Sequence, residues 1–172
     1  EQHIYQKVCK RDGCGEVVGY YATSDGSVEA KLEDGIYKVA SFDLADATAY
    51  NSKAEFTVTS LAYKRKFYDD KWRAVYVPFA IPALTPCLMR MKTAPEAEVE
   101  KTLTFENAAF SAAADKSIDC SSVTRYYQFF GTLNGKTGLT AGTDFVLNAG
   151  KLYNTSESTV LLPQRWYLSA TD

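Results

Sequence analysis

No stretch of this sequence sustains a helical period, whereas short runs of β-branched and aromatic residues recur between turn signals from end to end. Glu16-Val-Val-Gly-Tyr-Tyr-Ala22, Gly35-Ile-Tyr-Lys-Val39 and Glu55-Phe-Thr-Val-Thr59 each read as a strand. Leu61, Tyr63, Arg65 and Phe67 alternate with Ala62, Lys64 and Lys66, one residue out of phase with Phe56 and Val58. A β-bulge or strand break is therefore expected near Thr59-Ser60. The best helical segments, Asp43 to Tyr50 and Ala108 to Ala114, are too short to hold alone.

Asp69-Asp70-Lys71 makes a polar turn before Trp72-Arg-Ala-Val-Tyr-Val-Pro-Phe79, whose apolar residues on both faces predict a central strand. Val99, Leu103 and Phe105 predict a one-faced strand. Arg125-Tyr-Tyr-Gln-Phe-Phe130, Asp144-Phe-Val-Leu147, Ser158-Thr-Val-Leu-Leu162 and Arg165-Trp-Tyr-Leu168 continue the series. Asp34-Gly35, Asn134-Gly135 and Ala149-Gly150 mark turns between runs. This pattern predicts an all-β protein, an antiparallel β-sandwich-like domain. Apolar content falls from Ser24 to Glu33, which suggests an N-terminal Cys hairpin and linker over 1–30 and a main all-β domain over 31–172.

The chain has 172 residues, and 19 basic against 21 acidic side chains leave a net charge of −2. That balance offers nothing to a nucleic acid or an anionic membrane. The basic run Lys64-Arg65-Lys66 reads as a charged sheet face or a protected edge. The longest mainly apolar run, Val75 to Leu84, is too short to span a bilayer and holds two prolines, so no transmembrane segment is expected. No charged-then-apolar leader stands at the start, the pattern of a mature protein or an excised piece.

Cys9 and Cys14 bracket Lys-Arg-Asp-Gly, a turn-rich tip able to bring two sulfurs within disulfide range. Free thiols, or zinc with His3, are the alternatives; a structural zinc needs four ligands and only three stand nearby. Cys87 shares a strand face with Met89 and Met91 and reads as a buried small hydrophobe. His3 is the sole histidine, which argues against imidazole-based catalysis and His-rich metal sites. The acidic pairs Asp43/Asp46 and Asp69/Asp70 fall in turns, while Glu96, Glu98 and Glu100 share a solvent-facing phase. Calcium-loop, phosphate-loop and nucleophile-elbow motifs are absent. No catalytic residue, metal site or cofactor is assigned.

Twelve Tyr, nine Phe and two Trp are mostly in phase with a core. The adjacent pairs Tyr20/Tyr21 and Tyr126/Tyr127 differ, because neighbours on a strand face opposite sides and one of each pair is set to face solvent. These four tyrosines are the candidate ligand platform.

From Phe56 onward the sequence resembles a recurring C-terminal module of secreted and surface proteins of Bacteroidetes, often found beside BspA-type leucine-rich repeats. The resemblance rests on Phe56-Thr-Val58, Tyr63-Lys-Arg-Lys-Phe67, Trp72 to Phe79, and Thr85-Pro-Cys-Leu-Met-Arg-Met-Lys92. Ser117-Ile-Asp-Cys-Ser-Ser122, Phe129-Phe-Gly-Thr132 and Arg165-Trp-Tyr-Leu168 complete it, in that order. Cys9…Cys14-Gly15 looks like the Cys-Gly knuckles between modules of such proteins. The chain departs from the pattern in its short Ala80 to Thr85 link, where a long acid-rich insertion is usual, and at Cys87, where an aromatic is usual. Any cation binding by that insertion does not carry over.

The resemblance implies export and an all-β module, and it supplies no catalytic residues. The expected function is a non-enzymatic extracellular or cell-surface module, structural or adhesive, within a larger bacterial protein. Its partner would be a host or bacterial surface protein or a glycan. A carbohydrate-binding module is the alternative, and a glycoside hydrolase ranks behind both.

Overall fold

A computed structural model describes residues 4–23, 25–52, 54–79, 83–122 and 126–171. His3, Ser24, the Ile81-Pro82 part of the short link and Arg125 lie outside the described residues. Among the described residues there is no helix, and the all-β sandwich-like architecture holds. The first sheet contains β1 (Tyr5–Val8), β2 (Val17–Tyr21), β3 (Glu29–Glu33), β4 (Ile36–Ala45), β5 (Phe56–Phe67) and β8 (Val99–Phe110), in the order β1-β2-β3-β4-β5-β8. β6 (Arg73–Val75) and β7 (Cys87–Met89) form a two-stranded ribbon. The second sheet orders β12 (Lys151–Asn154), β11 (Asp144–Asn148), β13 (Arg165–Thr171), β10 (Tyr126–Thr132) and β9 (Ser117–Asp119).

Of the three expected turns, Asp34-Gly35 and Ala149-Gly150 are two-residue hairpins with positive φ at all four residues, the geometry that matches the twist of the flanking strands. At Asn134-Gly135 only the glycine has positive φ, and the chain leads from β10 into the isolated Lys136↔Leu161 bridge. The Cys hairpin β1–β2 continues the first sheet through Tyr20↔Ala30 and Tyr21↔Glu29, so residue 30 sits inside β3. Ile4 is buried in the main core.

β5 is one continuous strand, and its register against β8 is the same before and after Thr59: Val58 faces Ala108 and Ser60 faces Glu106. The buried phase nevertheless switches there, from Phe56 and Val58 to Leu61, Tyr63, Arg65 and Phe67. On β8 the residue opposite the switch, Asn107, has φ of 52°, and β4 changes phase between Val39 and Leu44. Of the β-bulge or strand break expected near Thr59-Ser60, the break does not occur; matched irregularities on the three neighbouring strands change the phase there without slipping the register.

β4 and β5 pair in parallel, with Tyr37↔Phe56 at one end and Ala45↔Lys64 at the other. The ten residues between them must return along eight residues of strand, about 26 Å. Ten helical residues would cover only about 15 Å, and Asp43–Tyr50, too short a helical candidate to hold alone, is the end of β4, a turn at Asp46-Ala47 and non-helical chain. The link is pinned between the sheets: the Tyr50 amide donates to Leu133 O at 3.3 Å, Tyr50 Oη donates to Ser111 O at 3.1 Å, and the Ala113 amide donates to Ser52 O at 2.6 Å.

Trp72 to Phe79 is buried as expected from Ala74 onward, but not as a central strand. Arg73–Val75 pairs with β7 and Phe79 makes an isolated bridge to Phe110 of β8, while the residues between fill the space between the layers. Val75, Tyr76, Val77 and Phe79 belong to the core of the first sheet, while Trp166 of β13 donates its indole N–H to Cys87 O at 2.7 Å. Ser158 to Leu162 makes only an isolated bridge, Leu161↔Lys136, instead of the expected strand. The Ala108–Ala114 segment is the end of β8 and the extended chain after it.

Candidate functional site

Arg65 occupies an inward position of β5, in phase with Leu61, Tyr63 and Phe67, and only 1% of its surface is exposed. A guanidinium there must replace its lost hydration with hydrogen bonds. Nη1 donates to Tyr63 Oη at 3.0 Å and Nη2 donates to Ala74 O at 2.9 Å. Its Nε is buried and, among the described residues, has no hydrogen-bond partner.

Asp46, the first residue of the link after β4, serves two guanidiniums. Arg165 at the start of β13 donates to it at 2.7 Å, and Arg65 Nη1 stands 3.8 Å away. Arg165 also donates to Pro163 O and Gln164 O, at 3.3 and 3.1 Å. Burial, then the like charge of Arg65, holds the Arg165 pKa below the ordinary arginine value. Burial raises the Tyr63 phenol above its ordinary value, opposed by Arg65. Gln164, in a left-handed conformation, donates Nε2 to both Ala45 O and Thr48 O at 2.8 Å, which fixes the Asp46 segment against the second sheet.

These groups floor an open groove of about 690 Å³ between the two sheets. Val146 and Leu147 of β11 and the 159–162 segment build the opposite wall, where Val160 and Leu162 are 64% and 53% exposed. Lys66, Tyr68, Arg73 and Glu100 form the rim. Lys66 pairs with Glu98 at 2.7 Å and Arg73 with Asp69 at 2.9 Å. Comparisons with protein-family models, curated proteins and solved structures find no match to this chain.

The four platform tyrosines are not brought together, since β2 lies in the first sheet and β10 in the second. Tyr20 packs on the core beside Tyr37, ring centroids 5.4 Å apart, and Tyr21 is half-buried beside Gly19 and Gly26. Tyr127 is half-buried, with its amide donating to Ser121 Oγ at 3.1 Å. Tyr126 is the exposed member, at 60%, and borders a shallow cleft of about 300 Å³ with Asp119, Ser121, Gln128 and Ser169.

All four cysteines are free thiols. Cys9 and Cys14 do approach at the hairpin tip: a hydrogen bond from the Cys9 thiol, then one from the Glu16 amide, lowers the Cys14 pKa. Cys87 packs against the main core with Met89, and burial pushes its thiol up. Cys120 is exposed. Among the described residues, which exclude His3, no cluster of three or more His, Cys, Asp or Glu side chains is placed to hold a metal.

Lys64-Arg65-Lys66 is not a protected edge, since β5 lies between β4 and β8, and Arg65 does not belong to a charged face but is buried, in the Arg65–Asp46–Arg165 group. Its signal was present: Arg65 shares the apolar phase of its strand, where a charge requires a buried partner.

Proposed function

We propose that this chain is a non-enzymatic, exported β-module of a larger bacterial protein, with a structural or adhesive role, and that the groove between its sheets is its contact seat. The observation that carries this reading is the groove's division of labour. Its half-buried acid, Asp46, is held by Arg165 at 2.7 Å, while its aliphatic wall stands open to solvent at Val160 and Leu162. A carboxylate tied to a guanidinium is a poor proton shuttle, whereas an exposed aliphatic wall beside a satisfied polar floor suits binding. The ordered resemblance to Bacteroidetes surface modules supports export and a place in a larger chain.

Immobilised arrays of extracellular proteins and glycans test this reading. Saturable binding without chemical change to the bound partner is expected. Turnover of any arrayed substrate contradicts it.

Carbohydrate binding is the second reading, favoured by Tyr126 beside the polar groups of Gln128 and Ser169. Nearer the groove the exposed rings are already engaged: Arg90 lies over Trp72 at 4.8 Å and Arg73 over Tyr68 at 5.9 Å. A sugar stacking on those same faces must displace a guanidinium. Glycan-array binding abolished by Tyr126→Ala would establish this second reading over the first.

A further inference from the structure

We infer that the groove seats a carboxylate flanked by aliphatic side chains, carried by an extended segment of a partner polypeptide. This rests on the reading of the chain as a recognition module and names the chemistry its seat selects.

The charge arithmetic at the floor is the first observation. Lys66 and Arg73 at the rim have their own carboxylates, Glu98 and Asp69. Glu100 is exposed and faces Lys66 across the β5–β8 pair, where it adds to the raised pKa of both Lys64 and Lys66. At the floor itself, Asp46 alone among the described residues answers the buried Arg65 and the half-buried Arg165, so two guanidiniums share one carboxylate. A second anion is the complement that such a floor lacks.

Donor capacity is the second observation. A guanidinium has five N–H groups. The three hydrogen bonds of Arg165 to Asp46, Pro163 O and Gln164 O use at most three of them. Arg65 Nε, buried under the same groove, has no partner among the described residues. Arg165 retains some exposure and is the group a ligand carboxylate would meet, while Arg65 behind it adds to the positive potential.

The wall decides what carries the carboxylate. Val160 and Leu162, two residues apart on an extended segment, both project into solvent beside Val146 and Leu147. Branched aliphatic surface is complementary to aliphatic side chains, whereas sugars favour flat aromatic faces. Alternating aliphatic and acidic side chains on a strand-like peptide fit this floor and wall together.

The test is an NMR titration of the ¹⁵N-labelled full chain with an acetylated, amidated pentapeptide of alternating leucine and aspartate. The same peptide with asparagine for aspartate, and a short oligogalacturonate, are the comparison arms. The aspartate peptide is expected to shift Arg165 Nε–Hε and the 159–162 amides saturably, with the asparagine peptide at least about tenfold weaker. Val160→Asp, at an exposed position, should weaken the aspartate peptide by at least about tenfold with unchanged Tm, whereas Val160→Leu should retain it. Equal binding of the two peptides, no shift with either, or indifference to Val160→Asp overturns the assignment. Binding of the uronate alone overturns the peptide assignment but leaves the recognition-module reading intact; that reading falls separately, on turnover of an arrayed substrate.

Discussion

The ring of Tyr76 rests on the bare Cα of Gly131. A Cβ added at Gly131 would lie 2.0 Å from Tyr76 Cε2, far inside van der Waals contact. The ring has no room to yield, because Tyr76 Oη donates to Ala114 O at 2.8 Å and accepts from the Lys116 amide at 2.9 Å. This contact joins β10 of the second sheet to the filler between the layers, and it requires a glycine for space rather than for unusual φ.

Gly131→Ala should therefore destabilise the fold by about 3 kcal/mol or more, the upper range for overpacking a core that has nowhere to relax. Urea denaturation measures this directly. Near-native stability would mean that the ring is not held as described.

Asp46→Asn should cost about 2–3 kcal/mol, below the loss for a fully buried pair, since it leaves the buried Arg65 and the half-buried Arg165 without a counter-ion. Lys38→Met is the control, because it breaks a solvent-exposed pair with Glu33 and should leave the denaturation midpoint essentially unchanged. Similar losses for the two variants would contradict this account of the Arg65–Asp46–Arg165 group.

Much of this architecture is written in the sequence where the code is local. Asp34-Gly35 and Ala149-Gly150 specify their hairpins because the two-residue turn needs positive φ at both positions. The shift of apolar phase at Thr59 marks the irregularity in the first sheet, although Asn107, which answers it on β8, carries no period of its own. The parallel β4–β5 pair is invisible locally, because parallel neighbours are usually joined by a helical crossover and here a non-helical link does the work. Trp72 to Phe79 has the apolar content of a central strand, yet only the finished sandwich shows that it fills the space between layers. The groove needs Asp46, Arg65 and Arg165 from three distant elements, and no short motif records that meeting.

Cysteine alkylation should follow environment. Cys14, its thiol pKa lowered by the Cys9 thiol and the Glu16 amide, is expected to react with iodoacetamide at lower pH than Cys87, whose thiol burial pushes up. Mass spectrometry of peptides labelled across a pH series reads the order. Cys87 labelling ahead of Cys14 in the folded protein would refute it.

Alkaline stability should fall in step with buried phenols. Burial raises Tyr50 and Tyr63 above the ordinary tyrosine value, so above pH ~10 the unfolded chain loses these protons first. Stability is then complete below the unfolded pKa and declines as pH rises through the window up to the folded values, by about 1.4 kcal/mol per pH unit for each group. Phenolate absorbance should show one set of tyrosines ionising in the folded protein and another only as the fold is lost. A single titration centred at the ordinary tyrosine pKa would contradict this.

The most direct test of the groove as contact seat compares the native chain with a Val160→Asp/Leu162→Asp variant on the same array of immobilised extracellular proteins and glycans. Both positions are exposed, so the variant should keep the native Tm. The account predicts that partners held by the native chain are lost by at least about tenfold in the variant. Undiminished retention of every partner by a correctly folded variant would contradict it.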